Sequence, residues 1–319
     1  MNSQSADTTM QPDVLANSEQ MIAAGSKSFA AAARLFAPRT RADAVMLYAW
    51  CRHADDVVDG QELGHDAGRA DDGDARVRLA KLTGETRAAL AGNRSDDPVF
   101  EALRQVMQRN HIPHRHPLEL LEGFDMDVRG RVYASEDDTL DYCYHVAGVV
   151  GVMMAMIMGV RDEAVLDRAC DLGLGFQLTN IARDVIDDAR VGRVYLPAEW
   201  LQAAGVDPVD PDDITQREVL HGLALRLLDL AEPYYASARD GLPALPFRSA
   251  WAVAAARRVY RDIGYQLRKQ GHRAWDGRVS TSRSRKMVLL GLALFDVIGT
   301  RFGNGQDHDR NGLFQRPGS

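Results

Sequence analysis

Two stretches of this sequence put carboxylates where helix geometry and burial conflict, and that conflict narrows the folds open to the chain. In YAWCRHADDVVDG (48–60), a turn of about 100° per residue sets Tyr48, Arg52, Asp55 and Asp59 on one helix face. Trp50, Cys51, Ala54, Val57 and Val58 cover the remainder. In QLTNIARDVIDDARVGRVYLP (177–197), the same arithmetic aligns Gln177, Asn180, Asp184 and Asp188. Leu178, Ile181, Val185 and Ile186 supply apolar cover there, and Asp187 lies toward the edge. A surface helix normally has a wide polar face and a narrower apolar stripe. Both segments invert that proportion, so each reads as an interior helix whose acids line a cavity. Buried carboxylates without a counter-charge are costly or take up protons. A hard cation would remove that cost.

The remaining periodic segments are also helical, and β-branched runs are short. The pattern predicts helices near 13–35, 41–60, 76–92, 97–110, 117–128, 137–159, 163–189, 214–239, 248–269 and 284–301. The stretches 60–74, 111–117 and 197–213 carry the Gly, Pro and Asp chemistry of loops. With no fixed-period repeat and no long linker, the expectation is one all-α domain over 16–301. Disordered segments are expected at 1–15 and 302–319. The apolar run Val146–Val160 is 15 residues, short of the roughly 18 a membrane-spanning helix needs, and reads as a buried helix. Gly148, Gly151 and Ala155 within it leave two readings open, close helix packing or the wall of a pocket for a long apolar chain.

Formal charge of −7 argues against nucleic acid as a partner. Three cysteines without CxxC spacing fit a reducing cytoplasm better than a disulfide framework. The first residues lack the basic start and apolar core of a secretory signal. Two opposed acidic faces could hold Mg²⁺ around a diphosphate, because Mg²⁺ favours one or two carboxylates plus phosphate oxygens. Arg52 and Arg183 would add charge-assisted hydrogen bonds. A di-iron carboxylate bundle would need Glu-x-x-His, which neither segment carries. Walker A and GxGxxG patterns are also missing.

GSKSF (25–29), YAWCRHADDVVD (48–59), YCYHVAGVVG (142–151) and the 177–197 stretch together resemble the squalene/phytoene synthase family. This is the head-to-head branch of the isoprenoid synthase fold, and the similarity runs from about residue 16 to about 280. The wording is nearest to the bacterial phytoene-forming members. The resemblance implies a helical bundle with a central apolar cavity. It also implies Mg²⁺-dependent condensation of two geranylgeranyl diphosphates, through a cyclopropyl diphosphate, to phytoene. That reaction is the first committed step of carotenoid biosynthesis. Mn²⁺ is an allowed substitute, and NADPH, which squalene formation consumes, is not expected.

By the same resemblance Asp55, Asp59, Asn180, Asp184 and Asp188 belong to the metal–diphosphate site. Ser26, Lys27 and Ser28 would hold diphosphate, with Gly25 allowing close backbone approach. Tyr48, Arg52, Gln177 and Arg183 would border the substrates, with Tyr48 nearest the reacting carbons. Tyr260 and Arg278 would reach the diphosphate, and Arg193 and Tyr195 fall where the family's flap closes. The expected setting is cytoplasmic, with transient peripheral contact to the inner face of a membrane and to other carotenoid enzymes. Two alternatives stand beside this reading. One is a dehydrosqualene or squalene synthase using farnesyl diphosphate. The other is a non-catalytic binding or assembly protein on the same fold.

Overall fold

The computed structural model describes residues 12–25, 32–60, 72–302 and 308–318, and among these there is no β-strand. Where a single domain was expected, the chain divides into two compact units, Met1–Leu121 and Glu122–Ser319. Ser26, Lys27 and Ser28 lie outside the described residues, and Gly25 is the last residue of the first helix.

The first unit holds α1 (Pro12–Gly25), α2 (Pro38–Asp59), α3 (Asp72–Leu90), α4 (Pro98–Asn110) and the start of α5 (Arg115–Val128). Helix α2 opens on Pro38, whose missing N–H costs nothing in a first turn. It closes at Gly60, which supplies the left-handed φ of 65°. Asp97 caps α4 by accepting from the Val99 N–H at 2.8 Å. Val45, Met46, Leu47 and Trp50 of α2 and Phe100, Leu103 and Val106 of α4 are all buried. One charge is taken into this core: Asp43, buried on α2, accepts from Arg109 and from Asn110 Nδ2 (3.0 Å) of α4. Two partners offset its desolvation.

The second unit contains α6 (Glu136–Ile157), α7 (Glu163–Arg190), α8 (Ala198–Ala203), α9 (Arg217–Asp240), α10 (Phe247–Gln270) and α11 (Arg283–Phe302). Ser135 and Asp138 form a capping box at the start of α6, and a π-helical turn interrupts it at Tyr144–Gly148. Among the described residues α6 is the one helix long and apolar enough to cross a membrane, yet much of it is buried within the protein. Its glycines bear on the packing reading. A Cβ on Gly151 would stand 2.3 Å from the Ala169 carbonyl oxygen of α7, and one on Gly173 of α7 would stand 2.3 Å from that of Ala147. A Cβ on Gly148 would meet Leu174 and Cys170 at 2.7 and 2.9 Å. These residues serve close packing of α6 on α7. Gly173→Ala is expected to destabilise the protein by about 1–3 kcal/mol or more, because backbone rather than a flexible side chain must yield. Urea unfolding measures this, and an unchanged midpoint would refute the packing role.

Helix α8 falls in a stretch read from its prolines and glycine as loop. The expectation of a disordered C-terminal segment fails for residues 308–318. Arg310 makes a bidentate pair with Asp171 of α7 (2.8 and 2.9 Å), and Arg316 binds Asp167 (2.9 Å) and Glu163. The Phe314 ring stacks on Tyr144, and its N–H donates to Tyr234 Oη (3.2 Å). The segment is polar because it answers the acids of α7, of which Asp171 is fully buried.

Candidate active site

Each acidic stripe lies at the C-terminal end of its helix. On α7, Leu178, Ile181, Ala182, Val185 and Ile186 are buried, while Gln177, Asn180, Arg183, Asp184 and Asp188 are half-buried. Asp187 is exposed and pairs with Arg190 at 2.8 Å, so of the three acids it is the one turned outward. Asn180 Nδ2 donates to Gln177 Oε1 (3.3 Å), which leaves the buried Asn180 Oδ1 without a hydrogen-bond partner. Arg183 grips Asp184 through both Nε (2.7 Å) and its terminal nitrogen. Asp188 is pushed up to about 7 by burial first and then by the neighbouring Asp184 charge, with Arg193 opposing. A buried carboxylate acceptor set with this excess of negative charge is suited to a cation.

Other expected residues gather around α7. Tyr260 of α10 stacks on Phe176 with ring centroids 4.1 Å apart. Burial raises its phenol pKa, and the charges it feels are those of Arg183, Asp184 and Arg278. Arg193 and Tyr195 line one small crevice with Asp188. Trp275 Nε1 donates to the Arg183 carbonyl (2.9 Å) and so fixes the backbone beneath that arginine.

Asp127 was outside the sequence reading. At the end of α5 it accepts from Tyr142 Oη and from Tyr195 Oη, each at 3.0 Å, and its charge adds to the pressure on Asp188. The Tyr142 and Tyr195 rings stack at 4.7 Å, and Thr139 Oγ1 donates to the Tyr195 carbonyl (3.0 Å). Tyr195 is thereby anchored in a buried aromatic cluster, and burial raises its phenol pKa far above the ordinary range. Asp127 bears no helical spacing to Asp188, so only its tyrosine partners identify it.

On α2, Trp50, Ala54 and Val58 are buried as expected, and Tyr48, Arg52 and Asp59 are half-buried. Arg52 bridges Asp55 (3.2 Å) and Asp56 (2.7 Å). Asp56 is buried and was not expected in this role, whereas the Asp55 side chain is 44% exposed. Arg78 of α3 donates to the carbonyls of Val57 (2.7 Å) and Val58 (3.0 Å), which satisfies the helix end beside Asp59.

Among the described residues no three His, Cys, Asp or Glu side chains assemble a complete metal nest. The donors fit a hard cation that takes part of its shell from a phosphate-bearing ligand. The unpartnered Asn180 oxygen and the crowded Asp184 and Asp188 carboxylates are oxygen donors of the right kind.

Comparison with known proteins agrees with this chemistry. The squalene/phytoene synthase family profile matches residues 22–285. The chain is 54% identical over 305 residues to the 15-cis-phytoene synthase of Paracoccus sp. (strain N81106 / MBIC 01143), covering 96% of this chain and 98% of that protein. It is 50% identical over 290 residues to the 15-cis-phytoene synthase of Pantoea ananas, covering 91% and 94%. A crystal structure of a dehydrosqualene synthase in complex with ligand superposes with a TM-score of 0.77 at 29% identity, covering 88% of this chain and 95% of that one. With an Asp-bearing α7 of the expected pattern and a family match across most of its length, the chain belongs to the squalene/phytoene synthase family, divalent-metal-dependent isoprenoid synthases that act on prenyl diphosphates.

Proposed function

We propose that this protein joins two molecules of geranylgeranyl diphosphate head to head to form phytoene, with Mg²⁺ as its metal. The observation that carries the reading is the α7 constellation. It combines an orphaned amide oxygen, two carboxylates one turn apart, and an arginine and a tyrosine held beside them. The choice of the twenty-carbon substrate rests on the two 15-cis-phytoene synthases that share half or more of its residues.

In this reading Asp184, Asp188 and Asn180 on α7 would hold Mg²⁺, and Asp55 and Asp59 on α2 would offer it the same kind of oxygen donor. When bound, the metal would supply positive charge to offset the negative charge developing on the departing diphosphate. Arg183 and Arg278 add charge-assisted hydrogen bonds to the same phosphates. Tyr260 is positioned by Phe176 to donate its hydroxyl hydrogen to a diphosphate oxygen, since its raised pKa keeps it protonated. The apolar cover of Leu178, Ile181 and Val185 excludes water from the allylic cation. Tyr195, held by Asp127, keeps the segment after α7 closed over Asp188.

Incubation with geranylgeranyl diphosphate and Mg²⁺, followed by mass spectrometry, is expected to give a forty-carbon triene-centred hydrocarbon without NADPH. Chelation is expected to abolish the product, and Mn²⁺ to restore part of it. Faster coupling of farnesyl diphosphate would replace the reading with a dehydrosqualene synthase. Undiminished turnover after exhaustive chelation would remove the metal from it.

A further inference from the structure

Helices α9, α10 and α11, with His308, line an open cavity of about 450 Å³ to which the proposed reaction assigns no part. Its wall carries Arg239, Arg257, Arg258, Arg261 and Arg285 against Asp262 and Asp296. The acids are already engaged: Asp262 by Arg285 (2.8 Å) and Thr281 (3.1 Å), Asp296 by Arg258 (2.7 Å). Arg257 is 6% exposed, donates through Nε to the Tyr235 carbonyl (2.6 Å), and has Asp296 only at 3.9 Å. Burial first, and then Arg261, hold its pKa down to about 10, as expected where cations crowd. Arg261 is held by Glu232 (3.0 and 2.8 Å), so three acids answer five arginines and the pocket keeps a surplus of positive charge.

Beside it lies an inverted helix. On α11, Leu289, Ala293, Asp296 and Val297 face inward. The outward face should be polar. Instead Met287, Val288, Leu292, Phe295, Ile298 and Phe302 are exposed, with Phe295 at 69% and Phe302 at 86%. From Val288 onward they follow at three or four residues, with Met287 beside Val288, so they make one stripe, and Leu292 belongs both to it and to the cavity wall. Residues 248–302 contain twelve Lys and Arg against three Asp and Glu, in a chain whose formal charge is −7. The stripe thus belongs to a segment of net positive charge within an acidic chain.

We propose that the outer face of α11 and the arginine-lined cavity beside it form a docking surface for an anionic lipid bilayer. The apolar stripe enters the interface, and the arginines take lipid phosphates. An apolar face flanked by basic residues is what interfacial helices present to anionic membranes. Charge decides against the other occupants. A second copy docked on the same face would bring two strongly basic surfaces together, and nucleic acid would leave six large apolar side chains unexplained.

The test is co-sedimentation of the full chain with phosphatidylcholine vesicles, with and without phosphatidylglycerol, at low and high salt. Parent protein is expected to pellet with the anionic vesicles only, and less at high salt. Phe295→Ser/Phe302→Ser is expected to lower partitioning about tenfold or more, because two exposed rings lose their burial. Arg239→Gln is expected to lower it severalfold. Both variants change exposed or half-exposed groups and should melt with the parent, which circular dichroism checks. Equal partitioning of the double variant and the parent would overturn the proposal, as would equal binding to neutral vesicles. A dimer in sedimentation velocity that the double variant dissociates would assign the stripe to a second copy instead.

Discussion

Asp188→Asn is expected to be both inactive and more stable than the parent. Loss of a carboxylate from the metal–diphosphate site should lower turnover by about 10²–10³-fold or more. Stability should move the other way. The folded-state pKa of Asp188 is raised to about 7, by burial and by Asp184, against roughly 3.9 in the unfolded chain. Keeping it ionised therefore costs stability above pH 7, and the cost fades as pH falls toward 4. In metal-free buffer at pH 8 the Asn variant should gain on the order of 2–4 kcal/mol, with roughly a third of that left at pH 5. Urea unfolding at the two pH values checks the sign. A variant that turns over like the parent in Mg²⁺ buffer, or that is less stable at pH 8, would contradict the assignment. Asp184→Asn makes the useful contrast. It should be equally inactive without the gain, because it leaves the half-buried Arg183 without its carboxylate partner.

Arg310→Ala should produce the largest loss of stability outside the apolar core, about 3–5 kcal/mol. Asp171 is fully buried on α7, and burial pushes its carboxyl up while Arg310 and Ser237 pull it back. Removing Arg310 strands that charge. The matching change Asp171→Asn in the Arg310→Ala background should recover part of the loss, since a neutral amide needs no counter-charge. A cost below about 1 kcal/mol for Arg310→Ala would show that the pair contributes no more than an exposed bridge does.

The sequence made α2 and α7 legible because helix period is local. Expected bounds of 41–60 and 163–189 compare with Pro38–Asp59 and Glu163–Arg190. The division between Asp187 and Asp188 followed from 100° per residue alone. What stayed hidden depends on approach between distant segments. Asp127 lies 61 residues from Asp188 and 68 from Tyr195, and its role is set by two tyrosine hydroxyls. Asp56 falls off the face drawn through Asp55 and Asp59, yet it sits one turn from Arg52 and pairs with it there. Residues 308–318 looked like polar tail because composition cannot reveal the acids that Arg310 and Arg316 meet. The π turn in α6 has no sequence signal of its own beyond the glycines that follow it.

Both acid sets share a placement that concerns more than their carboxylates. Asp55, Asp56 and Asp59 end α2, and Asp184, Asp187 and Asp188 end α7. A helix gathers its unsatisfied carbonyls at that terminus, equivalent to about half a negative charge, and chains ordinarily place lysine or arginine there. Here α2 has no basic residue of its own in its last turn, where Arg78 of α3 reaches two of its carbonyls instead, and α7 has only Arg190, already turned to Asp187. The macrodipole thus adds to the carboxylates instead of offsetting them. A cation arriving at either end meets a field that the backbone helps to generate, and substitution of side chains can remove only part of it. The same placement means that the α7 end, where Asp184 crowds Asp188, is at its electrostatic worst when nothing positive is bound, so it is built to be completed by its ligand.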